Sequence, residues 1–72
     1  MARPSKITIL ARKIIKSHGL DCGEFIHHAE RFVKEAGEAE DVEAFTQQFA
    51  KDIGLFNEHY ARYYMELWEK VK

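Results

Sequence analysis

The chain has one cysteine, one proline and four glycines in 72 residues. A single cysteine forms no internal disulfide, which excludes a stapled secreted scaffold. No charge-free run approaches the roughly 20 apolar residues that span a bilayer. No apolar stretch follows the N-terminal charges as a signal peptide requires, so the expected location is cytoplasmic. Repeats, low-complexity stretches and a glycine-rich phosphate loop are all missing. Strand signals are nearly absent too: the one β-branched cluster, Ile7-Thr8-Ile9, runs on into a helical pattern. The length leaves no room for a second domain. With 46% hydrophobic residues at regular spacing, the chain is not a disordered one.

What is present is helical periodicity, punctuated by Pro4, Gly19, Gly37 and Gly54. The first segment, about 5–17, starts at Ser5 as N-cap and buries Ile7, Leu10, Ala11 and Ile14. His18-Gly19-Leu20 reads as its C-terminal turn, with glycine in the left-handed position. The second segment, about 21–36, has capping-box spacing from Asp21 to Glu24 and a clean apolar arc through Phe25, Ile26, Ala29, Phe32, Val33 and Ala36. Asp41 caps a third segment, whose stripe is Val42, Phe45, Phe49 and Ile53. Asn57 caps a fourth that runs to about Val71. The three-and-four spacing continues through Gly54, so one long final helix is the alternative. A break is preferred, because glycine costs about 1 kcal/mol inside a helix. The expected fold is therefore all-α: a compact bundle of four short helices in one domain over 1–72, with 1–5 a flexible basic arm.

A chain this short draws roughly 3–5 kcal/mol from a single core, so oligomerisation or very good helix packing is needed. The last segment bears on this. Its apolar arc covers roughly 200°, against the 100° or so that an edge helix needs. Five of the nine aromatic residues, Phe56, Tyr60, Tyr63, Tyr64 and Trp68, lie in or just before it. Either the helix is central and covered on two sides, or one side meets a second molecule. The sequence reading favours the second. It expects a homodimer, or capture of another protein, through Tyr60, Tyr64, Met65 and Trp68, in a small regulatory module with no reaction of its own.

Charge supplies the alternative. Residues 1–20 contain Arg3, Lys6, Arg12, Lys13 and Lys16 and no acid, whereas 21–72 contain six basic and twelve acidic residues. A basic arm followed by a basic helix face can neutralise phosphates, which suggests a nucleic-acid-binding accessory protein. A helix-turn-helix reading fits poorly, since Glu24, Glu30 and Glu35 on the second segment would repel DNA. A membrane surface is disfavoured because the first segment has no aromatic residue.

Candidates for metal or covalent chemistry are weaker. His18, Cys22, His27, His28, His59 and Glu24 include ligand types, but neither a cysteine pair nor a His-Glu-x-x-His spacing occurs. Glu24 and His28 read as an ordinary intrahelical pair. Cys22 beside His18 or His59 could form a thiolate pair, yet it falls on the apolar arc. No cofactor is expected.

Overall fold

The computed structural model describes residues 5–55 and 57–72. Local signals start and stop most of its helices. Ser5 accepts a hydrogen bond from the Thr8 amide at 3.1 Å and opens α1, Lys6–Ser17. The helix ends where Gly19 adopts φ +71° and the Leu20 amide reaches back to the Ile15 carbonyl at 3.0 Å. That residue conformation is cheap only for glycine. Ser5 thus belongs to the helix start and not to a free arm; Met1 to Pro4 lie outside the described residues.

The second expected helix is two. Helix α2 spans Gly23–His27 and α3 spans Ala29–Ala36, with His28 between them at φ −97°, ψ 3°. The expected Asp21 cap does not form. Cys22 occupies the N-cap position and its side chain makes no capping bond. Helix α2 therefore begins one residue later than a cap at Asp21 requires. In an unbroken helix the Phe25 carbonyl would serve the Ala29 amide. Here it accepts from the buried Tyr64 hydroxyl at 2.9 Å.

Asp41 caps α4, Val42–Asp52, by accepting from the Ala44 amide at 3.1 Å. The break at Gly54 is real. Gly54 has φ +85°, the Leu55 amide bonds the Ala50 carbonyl at 2.8 Å, and Asn57 caps α5, Glu58–Val71. The described residues thus form an all-α bundle of five helices, with no strand among them.

Helix α5 packs against α1, α3 and α4. Helix α1 packs on one flank of it and α4 on the other, while α3 lies between them. The core is largely aromatic. Tyr64 stacks on Phe25 with ring centroids 4.1 Å apart, tilts against Phe32 at 4.7 Å and meets Phe49 edge-on at 5.4 Å. Ala11, Ile14, Ile15 and Leu67 close the layer towards α1. Full burial of each large side chain contributes about 1.5–3 kcal/mol. Thr46, also buried, donates to the Val42 carbonyl at 2.6 Å, and its oxygen lies 3.2 Å from Met65 Sδ. Among the described residues no buried side-chain nitrogen or oxygen lacks a partner.

Candidate functional site

The aromatic face of α5 is not one surface. Tyr64 is 0% exposed and hydrogen-bonded within the core, so it is withdrawn from any partner surface. The expectation that it faced outward fails because α5 is covered from both flanks. The remaining three residues are half-buried, with Tyr60 set apart from Met65 and Trp68. Tyr60 packs over α2, 6.4 Å from the Phe25 ring. Met65 points to the opposite flank, against Thr46 of α4. Trp68 lies against the Gly37 end of α3. Only Tyr64 and Leu67 of the broad apolar arc are fully buried; the rest of it is half-covered. Between α4 and α5 a groove of about 580 Å³ remains, floored by Thr46, Ala50 and Met65 and rimmed by Glu43, Lys51, Glu58 and Arg62.

The basic residues of α1, by contrast, are brought together. Lys6, Arg12, Lys13 and Lys16 are all exposed on the side of α1 turned away from the core. At 1.5 Å per residue they extend over about 15 Å. None of the four takes part in an ion pair among the described residues; the pairs there are His18–Glu66, His28–Glu24, Arg31–Glu35 and Lys72–Glu69. Ile9 stands among these cations at 42% exposure, a large hydrophobic side chain left outside the core. Arg3, expected to extend the stripe, lies outside the described residues.

The charge at the start of α1 runs against helix electrostatics, whereas Lys16 in its last turn accords with them. Acid is favoured in a first turn, by about 0.3–1 kcal/mol, because the helix N-terminus is positive. Helix α1 has no acid there and begins with Lys6. The carboxylate nearest this end, Glu30 of α3, instead accepts from the Thr8 hydroxyl at 3.2 Å.

One further cation joins this surface through the fold. Lys70, near the chain end, lines a shallow hollow of about 220 Å³ with Lys13, Leu10, Ile14 and Ser17. Glu66 lines the same hollow, and its carboxylate lies 3.6 Å from His18 Nε2. The sequence carries no signal for this placement, which depends on how α5 packs along α1.

Of the other chemistry-bearing groups, His18, His59, Arg62, Tyr63 and Glu66 line one open hollow. His18 stacks on Tyr63 at 4.2 Å, and His59 Nδ1 lies 2.6 Å from the Arg62 guanidinium. Glu24 and His28 form the expected pair at 3.4 Å, across the break between α2 and α3. Among the described residues no three His, Cys, Asp or Glu side chains converge as a ligand set. Cys22 is half-buried, and its side chain, together with burial, raises the Tyr60 pKa above 10.0. Burial, with a smaller contribution from Cys22, raises the Tyr64 pKa as well. No helix among the described residues is long and apolar enough to cross a membrane. No family model, curated protein or solved structure matches the chain.

Proposed function

We propose that this protein is a small, non-enzymatic binding module that engages the phosphate backbone of nucleic acid through the outward face of α1. The observation that supports this reading is the set of four exposed, unpaired cations, Lys6, Arg12, Lys13 and Lys16, on one helix face without a carboxylate. The alternative, capture of a protein partner through α5, is left with Tyr60, Met65 and Trp68, because Tyr64 is buried.

The net charge of −1 does not oppose this. Salt at 0.1 M screens charge over about 10 Å. The narrowest extent of the fold is 19 Å, so carboxylates on the far side act weakly on a polyanion bound at α1. Glu30, which accepts from Thr8, and Glu66, 3.6 Å from His18, keep their charge beside α1 but are outnumbered by its four cations.

Neutralising four phosphates on a duplex gives a log–log salt slope of about −3.6. Affinity then falls about 150-fold between 50 and 200 mM salt. Lys13→Glu with Lys16→Glu removes two of the four contacts, and the slope drops by about two. Fluorescence anisotropy with labelled duplexes and single strands measures both, with Lys51→Glu on α4 as a charge-reversal control outside α1. Absence of binding to every duplex and single strand at 50 mM salt rejects the reading. Equal loss in the Lys51 control would move the interface away from α1.

A further inference from the structure

The arrangement of side chains on α1 carries more than charge. Taking Ile9 as the crest and about 100° per residue, Lys16 and Arg12 fall about 20° and 60° to one side. Lys13 and Lys6 fall about 40° and 60° to the other. Lys70, across the hollow beside Lys13, extends this second side. One exposed apolar side chain, Ile9, thus stands between two pairs of cations.

Resting on the phosphate-binding reading above, we infer that the ligand is B-form duplex DNA, with α1 laid in the major groove, Ile9 directed at a thymine methyl on the groove floor and the flanking cations on the two phosphate walls. The dimensions agree: the groove is about 12 Å wide and 8.5 Å deep, and a helix with side chains is about 10–12 Å across. The floor of that groove is where thymine presents its methyl group. Ile9, at 42% exposure, is the apolar group that would meet it.

The same face suits other polyanions less well. Single strands are held by stacking bases on aromatic rings, and α1 has no aromatic residue. The major groove of A-form RNA is too deep and narrow for side chains to read. An anionic lipid surface needs a broad apolar face to insert into it. Here the apolar residues of α1 other than Ile9 are turned to the core.

The decisive comparison uses two duplexes of one sequence, one with thymine and one with deoxyuridine throughout. They differ by methyl groups and not in charge. Wild-type protein should bind the thymine duplex about fourfold tighter for each methyl buried. Ile9→Ala, at an exposed position that leaves the core intact, should abolish that difference while keeping the salt slope. Duplex RNA and single-stranded DNA of the same sequence should bind more weakly than either duplex. Equal affinity for the thymine and deoxyuridine duplexes, or tighter binding of RNA or single strands, overturns the groove placement and leaves the phosphate-binding reading standing. Failure to bind any nucleic acid overturns both. Binding only to vesicles of phosphatidylserine and phosphatidylcholine would do the same and assign the face to a membrane.

Discussion

Replacing Tyr64 with phenylalanine tests whether this side chain is structural. The substitution keeps the ring and therefore its contacts with Phe25, Phe32 and Phe49 at 4.1, 4.7 and 5.4 Å. It removes the hydroxyl that donates to the Phe25 carbonyl at 2.9 Å. A typical hydrogen bond contributes about 0.5–1.5 kcal/mol net, but a buried acceptor left alone costs about 1–3 kcal/mol. Tyr64 is 0% exposed, so water does not reach the vacated position readily, and the larger figure applies. A loss of about 2 kcal/mol is expected. For a domain of this size each kcal/mol shifts the midpoint by about 4–8 °C, so Tm should fall by roughly 8–16 °C. Urea unfolding followed by circular dichroism should show a lower midpoint at unchanged slope. A stability loss below about 0.5 kcal/mol, smaller than one ordinary hydrogen bond, would refute the reasoning. So would unchanged stability combined with a change in oligomeric mass, which would return Tyr64 to a surface.

Alkaline pH should destabilise the fold in a defined window. The folded state holds the Tyr64 phenol proton beyond the ordinary value of 10.0, because burial disfavours the phenolate, and Tyr60 acts in the same direction. Both contributions are full below pH 10 and are lost as pH rises above it. Urea midpoints measured from pH 8 to 11 should therefore hold and then fall, and the fall should be shallower in Tyr64→Phe; equal curves for the two proteins would contradict this. The glycines offer a paired test. Gly54→Ala forces a side chain into φ +85°, where no neighbouring atom obstructs it, so the cost is backbone strain of about 1–2 kcal/mol. Gly23→Ala, inside α2 with open space around it, should instead stabilise by about 0.4–1 kcal/mol. Thermal melts of the two variants that moved in the same direction would remove the distinction.

Much of this protein follows from interactions within one turn of chain, and that part was legible in the sequence. The caps at Ser5, Asp41 and Asn57 bond amides two or three residues ahead. The turns at Gly19 and Gly54 close over five residues. The basic face of α1 was legible for a related reason: a peripheral helix turns its polar side outward, so periodicity alone aligns Lys6, Arg12, Lys13 and Lys16. Periodicity also identified which side of α5 is apolar, but not how many neighbours cover it. A central helix and a helix at an interface have the same broad arc. Only the packing of α1 and α4 on its two flanks placed Tyr64 in the core and separated Tyr60 from Met65 and Trp68. The division of the second helix at His28 belongs to the same class, since Phe25 and Tyr64 are 39 residues apart. So does the approach of Lys70 to Lys13. Local spacing determined where helices start, stop and carry charge; contacts between distant segments decided which of their faces remain available to a partner.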